Sequence, residues 1–398
     1  MLACLSGLGM WHWRRGNPEP LPPLTPAQLE QARTDGRVLR AKMLVEFPSL
    51  ATVAPGRLAD EENGYLEIYL YPLGEGKELA KQPWGEMLSH TKDKFDAELA
   101  EAALAEHAEF VAWVERVAVL PGSSSLNMPA GFGGYAPTRL VMASVEVLLV
   151  KGRVAAKRGD EDEALRVVGL AKHFLEHVSK AGPVCLLDEP VLILCYQTIQ
   201  NQVIQEVLPL IGRGADLGRW QACVPKRAFS TASFAELLRG EWHVAVEYLV
   251  LQSLREDEHF QDDPEDFARA FSADHHYFVT EVPGRPLTDI ADAAKWTLPS
   301  SSSGLSKHGK LLAAGESWFP WAKGYLLKAS VQAQHQAALE LLQLERSGAT
   351  LDVSSSALVT VDPLRGLPFE FDPLSRTLKH PDVSAMEPYS YDPIELPW

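Results

Sequence analysis

The densest metal chemistry on offer in this chain is His173, Glu176 and His177, in the order H-x-x-E-H. On a helix, residues four apart share a face. Two imidazoles can then hold one Zn²⁺ while the glutamate acts as general base on a metal-bound water. Such a site also needs that face turned into a pocket and a third, acidic ligand downstream. The neighbouring residues argue against it. Ala164, Val167, Val168, Ala171, Phe174, Leu175 and Val178 form one apolar stripe at helical spacing. That leaves His173 and His177 on the solvent side, so the expectation is no metal and no cofactor. A zinc-dependent hydrolase using His173, Glu176 and His177 is the enzymatic alternative.

The remaining candidates are thinner. His275 and His276 follow Asp274, but neighbouring side chains on a helix point about 100° apart and cannot share one ion on a regular backbone. The acidic run 255–263 lacks the glycine and alternating ligands of a calcium loop, and reads as a solvated loop ending in a helix N-cap at Asp263. Glu241 and Glu247 flank His243, yet Trp242, Val246 and Tyr248 give ordinary amphipathic packing. No G-x-S-x-G elbow is present, and Ser123, Ser124 and Ser125 read as part of a flexible loop over 121–137. Within that loop Phe132-Gly133-Gly134-Tyr135 lacks the lysine of a phosphate loop. Phe132 and Tyr135 are kept as interaction candidates. Trp318, Phe319 and Trp321 form a second aromatic block, a contact surface if exposed and a docked helix start if packed. No residue is assigned a catalytic role.

These side chains would be carried mainly by helices. Helical periodicity predicts segments over 63–71, 93–118, 137–158, 161–180, 189–210, 214–224, 231–254, 263–271, 286–295 and 315–346. A first helix runs from the N-cap Thr25 and Pro26 to about residue 45. Leu148, Gly152, Ala155, Gly159, Ala164, Val168 and Ala171 have the spacings of one tetratricopeptide-like hairpin, in which small residues let two helices approach closely. A stack would need about three such units, so the expected architecture is an irregular antiparallel helical array. Strand signals come last. Residues 368–371 and 377–380 read as a hairpin turning at 372–376, within a small C-terminal subdomain.

Composition sets outer limits. The chain has 398 residues, 46% of them apolar, enough to bury a sizeable core. With 53 acidic and 37 basic residues the net charge is −16, which disfavours a nucleic-acid partner. The four cysteines (Cys4, Cys185, Cys195 and Cys223) contain no C-x-x-C pair, and their spacing leaves the disulfide state open. At the start, an apolar run to Met10 precedes Trp11-His12-Trp13-Arg14-Arg15, as at the edge of a membrane segment. The run is about half the ~20 residues a bilayer span needs. We read residues 1–16 as the remnant of an anchor clipped by the recorded start, and 17–26, with five prolines, as a stiff tether. A helical body over 27–330 and a long helix with its subdomain over 331–398 complete the expected organisation.

The tail carries a resemblance. Asp362-Pro363, Gly366, Pro368, Phe369, Glu370 and Phe371, following a long helix, resemble the globular end of type II secretion pseudopilins. Asp60-Glu61-Glu62-Asn63, the 159–171 hairpin and Leu237-Leu238-Arg239-Gly240-Glu241 add a second likeness. With the segment from Ala337 to Phe371 they are similar to a group of helical envelope proteins of planctomycetes and verrucomicrobia. That resemblance implies an N-terminal anchor, an all-helical body and a pseudopilin-like tail, and no activity. The chain departs from the pseudopilins themselves. Their membrane helix is N-terminal, whereas this helix lies at the other end and carries Gln332, Gln334, His335, Glu340 and Glu345. Nor do Asp382, Asp392 and Glu395 reproduce their calcium cluster.

The expected function is thus a non-enzymatic, envelope-associated interaction or scaffold protein. It would contact protein partners through helical grooves and the C-terminal subdomain, with membrane association through the N-terminus. A soluble cytosolic scaffold is the alternative to envelope placement.

Overall fold

In a computed structural model, the described residues are 25–52, 56–71, 83–91, 93–125, 137–182, 188–225, 229–253, 263–291, 296, 319–348, 358–363, 366–381 and 393–398. The fold is mainly helical, with one small antiparallel sheet near the C-terminus. The first helix, α1 (Pro26–Glu46), starts as its sequence requires. The Thr25 hydroxyl and Gln28 cap each other reciprocally, and Pro26 takes the first turn, where no amide donor is missed. Next come α2 (Gly64–Leu70), α3 (Trp84–Ser89), α4 (Ala97–Glu106) and α5 (Ala108–Ala118). Where periodicity predicted one helix over 93–118, the chain breaks at His107. Asp96 caps α4 by accepting from the amides of Glu98 and Leu99, which fixes its start four residues later than expected.

A tight hairpin of α6 (Thr138–Lys157) and α7 (Glu161–Lys180) forms the centre. Gly159 makes the turn at φ +76, a conformation that strains any residue with a Cβ. A Cβ on Gly152 would stand 3.3 Å from Val168, so the small residue sets how closely the helices approach. Leu148, Gly152, Ala155, Ala164, Val168 and Ala171 are all buried in this seam. Beyond it, α8 (Asp188–Gln202) passes through a π turn at Val203–Val207 into α9 (Leu208–Ile211), followed by α10 (Leu217–Cys223). Arg153 of α6 is fully buried against this stretch. Its guanidinium donates to Glu206 (3.1 Å) and to the carbonyls of Met87 (3.3 Å) and His90 (2.8 Å), and lies over the Phe95 ring.

A second cluster forms around α11 (Thr231–Ser253) and α12 (Pro264–Glu281), packed with α1. Asp263 caps α12 as read from the sequence, but the helix runs to Glu281 rather than ending near 271. Its continuation buries Phe278 and Val279 beside Trp242. The segment expected as a helix over 286–295 is a single 3-10 element, Leu287–Ala291, and residues 292–295 lie outside the described residues.

The last helix, α13 (Phe319–Arg346), serves both cores without interruption. Ala322, Tyr325 and Leu326 pack into the α11–α12 cluster, while Ala337, Ala338, Leu339, Leu341 and Leu342 enter the central one. Strands β1 (Glu370–Asp372), β2 (Thr377–Lys379) and β3 (Ile394–Glu395) then pair antiparallel in that order, with Phe371 opposite Leu378. The hairpin stands where the sequence put it, whereas β3 had no detectable signal at two residues. Phe369, Phe371, Leu378, Ile394 and Leu396 seal the sheet onto α13. Arg376 in the turn donates to both carboxylate oxygens of Glu345, at 2.7 and 2.8 Å.

Candidate functional site

The Asp-Pro turn of the tail works structurally. The Asp362 carbonyl accepts from Gly366, whose φ of +65 closes the turn, and the Asp362 amide donates to the Leu367 carbonyl. The fully buried Asp362 carboxylate accepts from the Ser330 hydroxyl of α13 at 2.6 Å. The same hydroxyl lies 3.1 Å from His380 Nδ1, and His380 Nε2 lies 3.1 Å from Gln334 Oε1. Gln334 in turn donates to the Leu378 carbonyl. This closed polar network, sunk beneath the sheet, fixes the cap on its helix. It presents no group to solvent.

The arrangement with an opening is elsewhere. Residues 118–123, leaving α5, face His173, Glu176, His177 and Lys180 of α7 across an open cleft of about 470 Å³. All three residues of the H-x-x-E-H motif therefore line one concavity, a correction to the expectation that both histidines face solvent. His173 is exposed, but His177 is buried, 5% accessible. The helical stripe was read correctly. What it could not show is that a second element, the start of α2, closes over the flank where His177 sits. Gly64 presses its backbone on the imidazole, and a Cβ there would come within 2.5 Å of the ring.

His177 is not arranged as a metal ligand. Its Nδ1 lies 2.6 Å from Ser123 Oγ, and its Nε2 is buried without a hydrogen-bond partner. Glu176 is engaged by Lys180 Nζ at 2.9 Å. Among the described residues, no group of three or more His, Cys, Asp and Glu converges as a metal site. Burial pushes the His177 pKa below the ordinary value, so the ring is neutral at pH 7. The carbonyls of Val117, Gly122 and Ala118 oppose that shift, and the charge of His173 adds to it.

Ser123 is likewise not on a loose loop. The Asn63 side chain, fully buried, donates to the Ser124 carbonyl (2.8 Å) and accepts from the Ser124 amide (3.0 Å), besides capping α2. Gly122 donates to the Glu62 carbonyl and accepts from the Gly64 amide in a parallel bridge. The Ser125 amide donates to the Ala181 carbonyl at 2.7 Å. Residues 121–125 are thus stitched on both sides, which corrects the flexible-loop reading there, while 126–136, with Phe132 and Tyr135, lie outside the described residues. The sequence reading placed Asn63 at the start of a helix over 63–71 and carried no sign of its bonds to Ser124.

The other histidines are separated by the fold. His275 Nδ1 lies 3.0 Å from the carbonyl of Phe271 on its own helix, while His276 Nδ1 lies 2.6 Å from Ser49 Oγ. Cys195 and Cys223 are free thiols, raised by burial to about 12 and about 11. Of the aromatic block, Phe319 and Trp321 occupy the first turn of α13, and Trp318 lies outside the described residues. Among the described residues, no helix is long and apolar enough to cross a membrane.

Comparison with family models, with curated proteins and with solved structures finds no match to this chain.

Proposed function

We propose that the chain is an interaction or scaffold protein of the cell envelope whose partner-facing surface is the C-terminal cap. The observation carrying this reading is the exposure of large apolar side chains on one small subdomain. Val359 is 87% accessible and Leu374 96%, with Val361 and Leu367 also exposed. Between the two valines, Thr360 is turned toward α13, where its amide and hydroxyl both donate to Glu340. Val359 and Val361 on either side of it are both exposed. Pro368, bridged to Val361, is exposed beside them. Side chains of this kind, gathered on a cap locked to a rigid helix, suit a protein-protein contact. Envelope placement rests on the apolar start, the aromatic-cationic segment and the proline-rich tether, together with the likeness to helical envelope proteins.

The experiment is in-cell cross-linking of the full chain against a Val359→Asp, Val361→Asp, Leu367→Asp variant, followed by fractionation. The substitutions fall on exposed positions, so thermal stability should stay close to that of the unaltered protein. Discrete cross-linked products in the envelope fraction, lost in the variant, are expected. Identical products from both proteins, or none from either, would overturn the reading.

A further inference from the structure

The cleft between α5 and α7 goes beyond a scaffold role. We infer that Ser123 and His177 form a nucleophile-base pair that accepts an acyl group from small carboxylic esters.

Three observations carry this. First, the serine hydroxyl and the imidazole are already in hydrogen-bonding contact, at 2.6 Å, the geometry an activated serine requires. Second, the pair is held from every side without using its own reactive atoms. Asn63 clamps the backbone of Ser124, the parallel bridge at Gly122 fixes the residue before Ser123, and Gly64 backs the ring. Third, the half-buried Ser123 lines an open cleft, walled on one side by Val119, Leu120 and Pro121. That apolar wall suits a short acyl chain. Lys180 is the cation among the described lining residues, held at the rim by Glu176.

In the acylation step Ser123 Oγ forms a bond to the ester carbonyl carbon and its proton passes to His177 Nδ1. The ester C–O bond breaks, and the departing alkoxide takes that proton as an alcohol. A water then attacks the acyl carbon and gives a proton to Nδ1. Ser123 Oγ leaves, recovering a proton from the imidazolium, and a carboxylic acid is released. The balance needs only ester and water. No carboxylate orients His177. The carbonyls of Val117, Gly122 and Ala118 favour its cationic form against the larger opposing effect of burial, while its buried Nε2 makes no hydrogen bond. Asn63 and Gly64 are positioning residues.

The test uses the purified full chain and a fluorophosphonate probe, which forms a stable adduct with activated serines. The expected result is one adduct per chain, mapped by mass spectrometry to Ser123. It should be absent in Ser123→Ala and unchanged in Val45→Ala, an exposed position on α1 outside the cleft. Labelling should slow by at least ~100-fold in His177→Gln, the usual size of a lost general base. Should His177→Gln fail to fold, the pH profile of the unaltered protein decides, because labelling must fall as acid protonates the imidazole. A folded chain that takes no adduct at Ser123 would overturn the inference. So would a Ser123 adduct whose rate is indifferent to both His177→Gln and pH. The cap variant above should label normally, so failure here and failure of the scaffold reading are separable.

Discussion

Acid should unfold this protein through its buried histidines, well before its carboxylates are lost. His275 on α12 and His335 on α13 are nearly inaccessible, at 4% and 6%, and each places Nδ1 against the carbonyl one turn back on its own helix. Burial dominates both, holding their pKa values down at about 4, against a slight opposing effect of those carbonyls. His243 on α11 is pushed down to about 4 by burial and by the charge of Arg40, and burial lowers His177 as well. In the unfolded chain each returns to about 6.5. Unfolding therefore takes up protons in the interval between about 4 and 6.5. Stability present above 6.5 is lost as pH falls across that window.

The interval from 6.5 to about 4, at about 1.4 kcal/mol per pH unit, gives about 3 kcal/mol for each of His275 and His335. Those two alone rival a stability of about 5–15 kcal/mol. Near pH 5 His243, His275 and His335 each contribute close to one proton, so the slope should reach roughly 4 kcal/mol per pH unit with the three titrating together. Glu146 works the other way. Its pKa is raised by burial, so it favours the fold at lower pH and offsets part of one proton. The carboxylates held low by arginine and lysine partners, such as Glu345 beside Arg376, also take up protons on unfolding, but only toward the acid end of the window, where unfolded carboxylates titrate. Urea unfolding followed by circular dichroism at pH 7.5, 6.0, 5.0 and 4.5 measures the slope directly. At least two protons should be taken up near pH 5, and His275→Leu should remove about one. A slope below one proton, or no change in His275→Leu, would refute the assignment of burial as the cause.

Three further outcomes follow from single contacts. Gly64→Ala should lower stability by about 2 kcal/mol, since its Cβ would meet the His177 ring at 2.5 Å and overpacking a rigid site costs about 1–3 kcal/mol. Chemical denaturation checks the cost, and the imidazole NMR signal should move. Arg153→Met should cost about 3–5 kcal/mol, because it removes the buried guanidinium's bonds to Glu206 and to the carbonyls of Met87 and His90. The double variant Arg153→Met, Glu206→Gln should recover part of that loss in the same denaturation assay. Ser330→Ala should loosen the cap by removing the hydrogen bond to the buried Asp362 carboxylate. A loss of about 1–3 kcal/mol is expected, with faster amide exchange at Phe371 and Leu378 than in the α6–α7 hairpin.

Much of the fold was legible because its determinants are local. Thr25 and Asp263 cap helices through side chains within a few residues of the amides they satisfy. Gly159 must turn because of its own backbone, and the stripe on α7 is written in its own spacing. The errors fall where the deciding partner is remote. His107 breaks a helix whose periodicity continues past it, and residues 272–281 remain helical because α12 is packed along its length between α11 and α1.

The cleft illustrates the same divide at a single residue. Seven apolar positions on α7 fix which face is core, and that reading set His177 on the solvent side, beyond the edge of the stripe. An edge residue is exposed unless a neighbour covers it, and the neighbour here is Gly64, more than a hundred residues earlier. Nothing in the H-x-x-E-H spacing encodes that contact. Ser123 shows the converse. A run of three serines after a proline and a glycine reads as slack chain, because serine is common in loops and carries no periodic signal. Its rigidity comes from Asn63, whose amide supplies to Ser124 both the donor and the acceptor that a neighbouring strand would have supplied. A cap residue with one local and one distant obligation is indistinguishable in sequence from an ordinary cap. The pairing of Ser123 with His177 is therefore a property of three segments meeting. Of those segments, the start of α2 is the one to alter first, at Asn63, whose side chain holds the Ser124 backbone and touches neither reactive atom.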